Sequence, residues 1–317
     1  MDVKKMVELQ FNIFNMLKKS IDNDHLSHAY LFYGPNGTGK KEMAYALSCL
    51  LYGVELDSPE GKQIIDGKHL NVEYIQKEEG KTAVSKEQIL SIQDEFSKTS
   101  LVSGKRIYII DGLDTATKQA QNSLLKFIEE PSGEYVGIFI AEELSNVIST
   151  IQSRCEIVYF KPISNEELIA ELKNNWIDPL DSALASSLTN SIDEAMELVK
   201  SDDFLKTKDV FLELIDLKSD FDGVKFFSKY VEFFIDKERL EMLINFILLY
   251  LRDINLLSKD NNNLILAPLY DKIVSAKSNR KYNYKAKYEA VLDLMNKLDR
   301  NVTAKNVFFE LVMAILK

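Results

Sequence analysis

The chain has 317 residues, 46% of them hydrophobic and 28% charged, with only 6 prolines and 12 glycines, which excludes a disordered or fibrous protein and suggests two or three domains. A net charge of −10 and a pI near 5.1 argue against broad duplex-DNA binding by this chain alone, because neutralising phosphates needs a basic face. No run of about 18 apolar residues and no cationic start followed by an apolar core is present, so the expectation is a cytoplasmic protein without a membrane segment.

Ala29-Tyr30-Leu31-Phe32-Tyr33 is a continuous apolar run, as expected for a parallel strand covered on both faces. It leads into Gly34-Pro35-Asn36-Gly37-Thr38-Gly39-Lys40-Lys41, and then Met43, Leu47, Leu50 and Leu51 follow at helical spacing. Strand, glycine loop and helix in this order form a phosphate-binding loop, in which Gly34, Gly37 and Gly39 let backbone amides curl round an anion at a helix N-terminus. Lys40 supplies the cation. The last position should be a Ser or Thr hydroxyl for Mg²⁺, but it is Lys41, whose ammonium would repel the metal. The spacing therefore predicts a nucleotide-machine fold that no longer hydrolyses nucleotide.

Residues 53 to 70 read as a polar loop, and 71 to 75 as a strand. Ser85 and Gln88 make a capping box for a helix with Ile89, Ile92 and Phe96 on one face. Arg106 to Asp111 reads as a buried strand that ends in an acid, the arrangement that sets a carboxylate opposite the loop for Mg²⁺. The residue after Asp111 is Gly112, so the acid that would orient an attacking water is missing too. A helix is predicted from Thr115 to Glu130 with Ala120, Leu124 and Ile128 as its stripe and Pro131 as its stop. Tyr135 to Ile140 and Glu156 to Phe160 supply two further strands. Beyond Ser164 only helical periods remain, for example Leu243, Ile247, Leu248 and Leu251.

The strings His28-Ala29-Tyr30-Leu31-Phe32, Asn122-Ser123-Leu124-Leu125-Lys126, Glu129-Glu130-Pro131 and Ser153-Arg154-Cys155, taken with the degenerate loop, resemble the bacterial clamp-loader family of the replicative DNA polymerase III, and most its non-hydrolysing member. The resemblance covers about half the chain, and the Ser-Arg-Cys triplet is its most specific part. It implies an α/β P-loop domain of the AAA+ class over residues 1 to 162, a small helical lid over 163 to 208, and an all-α collar over 209 to 317. It implies that Arg154 is an arginine finger that enters a neighbouring subunit's nucleotide site, with Ser153 and Cys155 as structural flanks. The implied partners are motor subunits of the tau/gamma kind and a delta-like subunit in a hetero-pentamer, the sliding clamp, and primed DNA reached through the complex. Read alone, outside the triplet, Arg154 is a surface arginine pairing with a carboxylate such as Glu156.

By the same likeness, the polar sensor expected after the fourth strand falls near Ala141, and Glu194 stands where a nucleotide-sensing arginine is usual. Family members commonly carry a four-cysteine zinc module after the loop helix; here Tyr52 to Asp66 has no cysteine, so the expectation is no zinc and a shorter loop packed by Val54, Leu56, Ile64 and Ile65. No cofactor is expected beyond weak ATP or ADP binding. Cys49 and Cys155 read as buried free thiols. The basic and aromatic stretch from Lys277 to Tyr288, with Arg280, Lys281, Tyr282, Tyr284, Lys285 and Lys287, reads as a loop leading into a helix in preference to a single-strand grip. Two other functions stay open: an ATP-hydrolysing motor subunit of the same family, and a nucleotide-regulated module outside replication. Whether Phe226, Phe227, Tyr230, Phe233 and Phe234 form core or interface is open as well.

Overall fold

The computed structural model describes residues 2–78, 80–97, 104–129, 135–257, 264–278, 283–300 and 302–316, and divides into two compact units, Met1–Ile163 and Ser164–Lys317. The expected stop at Pro131, and Arg280, Lys281 and Tyr282, lie outside the described residues, as do the side chains of Ile92 and Phe96. Among the described residues, no helix is long and apolar enough to cross a membrane.

The first unit opens with two helices, α1 (Val3–Leu9) and α2 (Phe11–Asp22). Five strands follow, β1 (Ala29–Tyr33), β2 (Val72–Ile75), β3 (Arg106–Asp111), β4 (Tyr135–Ala141) and β5 (Glu156–Tyr159). All pair in parallel in the order β2-β3-β4-β1-β5. Between them run α3 (Lys40–Tyr52), α4 (Pro59–Ile65), α5 (Lys86–Ser97), α6 (Lys118–Glu129) and the single turn α7 (Ser149–Gln152).

Side chains alternate across a strand, so the apolar runs feed two cores at once. Tyr30, Phe32, Ile107, Ile109 and Ile138 meet Leu17, Met43, Leu47 and Ile64 on one face; Leu31, Tyr108, Ile110 and Phe139 meet Ile89, Ala120, Leu124, Ile128 and Ile151 on the other. Each fully buried Leu or Ile here contributes roughly 1.5–3 kcal/mol. Gly137 on β4 is fixed by this packing, because a Cβ there would run into the phenol of Tyr108 on the adjacent strand.

Two local expectations differ from the structure. The segment after α3 is not all loop: Ser58 caps α4 by accepting from the Gly61 amide, with Pro59 at its first position, and Ile64 is buried while Val54, Leu56 and Ile65 pack against the same core. The helix predicted from Thr115 starts later. Leu113–Thr115 forms a 3-10 turn in which the Thr115 hydroxyl bonds back to Gly112 O, and Thr117 caps α6 by accepting from the Ala120 amide.

The second unit is helical throughout its described residues: α8 (Asn165–Asn174), α9 (Pro179–Ala185), α10 (Ile192–Leu198), α11 (Asp202–Leu214), α12 (Asp220–Tyr230), α13 (Lys237–Leu256), α14 (Tyr270–Ser278), α15 (Tyr284–Asp299) and α16 (Ala304–Leu316). The boundary expected at residue 208 falls inside α11, and Ser164–Lys317 clusters as one body. α13 is its central rod, burying Leu243, Ile247 and Leu251 along one line, with α11, α14 and α15 packed round it. Asp253, wholly buried on α13, accepts from the Leu266 amide and from Arg252 Nη1, each at 2.7 Å, which fastens the segment before α14 to α13. Phe226 and Phe234 are core: both stack round Phe308 of α16, and Phe227 lies against the same ring.

Candidate functional site

The phosphate-binding loop sits where the pattern demands, between the C-terminal end of β1 and the start of α3. Its cation is already engaged. Lys40 Nζ donates to Gly34 O and Pro35 O, each at 2.6 Å, and lies 3.5 Å from Thr38 Oγ1. Burial pushes its pKa down, and the carboxylates of Glu142, Asp111 and Asp114 push it back up. Those carboxylates also set a negative field over the loop.

The loop is braced from outside by the N-terminal helices, which the sequence patterns did not single out. Gly39 has φ of +83°, and the space where its Cβ would point is taken by the fully buried Met6 of α1. Gln10, at the joint of α1 and α2, donates from Nε2 to Thr38 O and to Lys161 O at 3.1 Å each. The only forewarning in the sequence was the spacing of Val3, Met6 and Val7, one face of a short helix.

A second closed cluster lies around Asp111, where the sequence led us to expect a metal ligand. Lys41 Nζ lies 4.4 Å from the centre of the Tyr74 ring. The Tyr74 hydroxyl donates to Asp111 Oδ2 at 2.5 Å, and the Tyr45 ring stands 5.8 Å from that of Tyr74. Burial and then the Asp111 charge push the Tyr74 phenol far up, so it remains a proton donor to Asp111. Gly112 follows in the left-handed region, and Asp114 turns away to accept the Glu142 and Glu143 amides at 3.1 and 3.0 Å. Ala141 ends β4 and offers only its carbonyl, which accepts from the Gly34 amide at 3.3 Å.

Ser153-Arg154-Cys155 joins α7 to β5. The Ser153 hydroxyl donates to Thr150 O at 3.1 Å, and Cys155 packs into the core beneath, where burial pushes its thiol up to about 12. Arg154 donates from Nη1 to Thr150 O at 2.9 Å and to Ser153 Oγ at 3.3 Å. Its carboxylate partner is Glu129 at the end of α6, 2.6 Å from Nη2, and not Glu156. Its side chain remains 37% exposed. Gln121, buried on α6, donates to Leu113 O, Ala116 O and Asn146 O and accepts from the Ile148 amide. It thereby ties the turn after Asp111 to the segment that carries Arg154. An amide on an otherwise apolar helix stripe was the signal that could have found it.

The remaining expected positions are structural here. The Thr189 hydroxyl donates to Glu194 Oε2 at 2.5 Å, and Ser191 Oγ accepts from the Glu194 amide, so Glu194 serves the start of α10. Cys49 points at Gly61 O, and burial pushes its thiol up to about 11. His69 accepts the Asn71 amide on Nδ1 at 3.3 Å, with Nε2 3.5 Å from Glu60. Among the described residues, no three His, Cys, Asp or Glu side chains are grouped so as to hold a metal. In the basic and aromatic stretch, Lys287 is buried and donates to Ile315 O, and the Tyr284 hydroxyl donates to Ala276 O, both contacts within the helical packing.

Comparison with known proteins supplies the context of this arrangement. The profile of a family described as "DNA polymerase III, delta subunit" matches residues 9–164. The chain is 33% identical to DNA polymerase III subunit delta' of Bacillus subtilis over 323 residues, covering 98% of both proteins. It is 28% identical to subunit tau of the same organism, over 64% of this chain and 39% of that one. Among solved structures, a DNA polymerase III gamma subunit-related protein of Thermotoga maritima superposes with a TM-score of 0.46 at 17% identity, over 96% of this chain and 98% of that one.

Proposed function

This chain belongs to the delta' family of DNA polymerase III clamp-loader subunits, and on that premise we propose that it is the member that does not hydrolyse ATP but completes a neighbour's active site with Arg154. The observation that carries the first half is the self-occupied nucleotide site. Lys40 is committed to Gly34 and Pro35, the Tyr74 hydroxyl holds Asp111, and Lys41 lies over the Tyr74 ring. With Gly112 in place of the water-orienting acid, neither the electrophile nor the nucleophile of phosphoryl transfer is prepared.

The second half rests on Arg154, held on a rigid turn with part of its guanidinium open to solvent. In the assembled loader, that guanidinium enters the nucleotide site of an adjacent motor subunit. There it stabilises the charge that spreads over the γ-phosphoryl oxygens in the transition state. The neighbours are motor subunits of the tau/gamma kind and a delta-like subunit, and together they open the sliding clamp and place it on primed DNA in the cytoplasm. The acidic balance of the chain suits contact with DNA through the complex rather than by this subunit alone.

Arg154→Ala in a reconstituted loader tests the reading. A finger supplied in trans contributes on the order of 10³ or more at its own site. Only one site of the complex is affected, so bulk ATPase and clamp-loading rates should fall in part while assembly is intact. Arg154→Lys should rescue poorly, since a point charge lacks the planar fork. Normal loading by the alanine variant would leave the chain as a structural subunit only.

A further inference from the structure

Glu129 is the last described residue of α6. Its carboxylate is answered by a cation, Arg154, 2.6 Å away. The same guanidinium is gripped through Nη1 by Thr150 O and Ser153 Oγ. One edge of the fork is thus held by two elements, α6 and the α7 turn, while Nε and the second Nη2 hydrogen make no described bond. Three contacts from two directions fix the plane of the group, which a single ion pair on a long side chain would not do.

We propose that Glu129 is the positioning residue for Arg154: it orients the guanidinium so that its unused N–H groups meet the terminal phosphate of a nucleoside triphosphate held by another subunit. The proposal rests on the reading of Arg154 as a finger acting in trans. No proton moves, because the guanidinium is charged throughout. Glu129 never touches the phosphate; it restricts the rotamers Arg154 samples before the subunits meet, and so acts on the transition state and not on nucleotide binding.

The test is a double-mutant cycle in the reconstituted loader, with wild type, Glu129→Ala, Arg154→Ala and the double variant compared for ATP turnover. A half-exposed ion pair of this kind supports an effect of about 2- to 5-fold. Glu129→Ala should lower turnover by that factor at the one site Arg154 serves, and the bulk kcat by less than Arg154→Ala does, with the KM for ATP unchanged, and should add nothing in the Arg154→Ala background. Glu129→Gln, whose amide oxygen can still accept from Nη2, should recover part of the rate, and thermal unfolding of each variant should match wild type. If Glu129→Ala lowers the rate equally in both backgrounds, Glu129 acts independently of Arg154 and the proposal fails. If Arg154→Ala slows the loader and neither Glu129 variant does, the finger stands and Glu129 is not its positioner. If Arg154→Ala changes nothing, the finger reading itself is lost, and this proposal with it.

Discussion

The closed phosphate loop makes a quantitative statement about nucleotide affinity. For a triphosphate to enter, Lys40 must release Gly34 O and Pro35 O. Hydrogen bonds to a charged group are worth roughly 1.5–3 kcal/mol each, so the two together set a penalty of about 3–6 kcal/mol relative to an open loop. At 1.4 kcal/mol per decade that is about 10²- to 10⁴-fold in affinity. A site that would otherwise bind ATP near 1 μM is thereby moved to about 0.1–10 mM. Titration calorimetry of the purified chain should find binding in that range, with no dependence on Mg²⁺, because the Asp111 carboxylate is held by Tyr74. Lys41→Thr alone should leave it weak and metal-independent. Lys41→Thr with Tyr74→Phe should bring a Mg²⁺ dependence, since Asp111 then loses its phenol. Micromolar, Mg²⁺-dependent binding by the wild-type chain would refute the reasoning, as would full recovery from Lys41→Thr alone.

Phe308→Ala should lower unfolding free energy by about 3–5 kcal/mol in denaturant titration, because the ring is fully buried among Phe226, Phe227 and Phe234; a loss under about 1 kcal/mol would mean the cluster collapses on the gap. Burial holds the thiols of Cys49 and Cys155 up to about 11 and about 12, so alkylation of the folded chain at pH 8 should be slower by about two orders of magnitude or more than in denaturant, and should quicken as pH rises. Both thiols keep their proton more tightly folded than unfolded, so stability from this source is intact below about pH 8.5 and is lost as pH climbs towards 11. Elemental analysis should find no stoichiometric zinc, and chelators should leave the melting temperature unchanged; one zinc per chain would overturn the reading of residues 52 to 71.

The strands were legible because a parallel sheet covered on both faces demands unbroken apolar runs, as in Ala29 to Tyr33 and Arg106 to Asp111. The helix after β3 was legible in its stripe but not in its start, since Thr115 and Thr117 compete for the same turn through their hydroxyls. The degenerate loop could be read from one residue, Lys41. What braces the loop and what holds Asp111 could not, because Met6 and Gln10 act from a segment some thirty residues upstream, and Tyr74 reaches Asp111 from a neighbouring strand. The partner of Arg154 escaped for the same reason: Glu156 is near in sequence, whereas Glu129 is brought close only by the packing of α6.

The seat of Met6 against Gly39 has a practical side. The first turn of α1 is held by Asp2, whose carboxylate accepts the Lys4 amide, and that turn delivers Met6 to the loop. Anything that disturbs this turn, such as a tag placed close before it, would loosen the peg and take away the brace behind Gly39. Nucleotide measurements on such a preparation would describe the tag's handiwork, and a carboxyl-terminal tag is the safer handle for every assay of the phosphate loop.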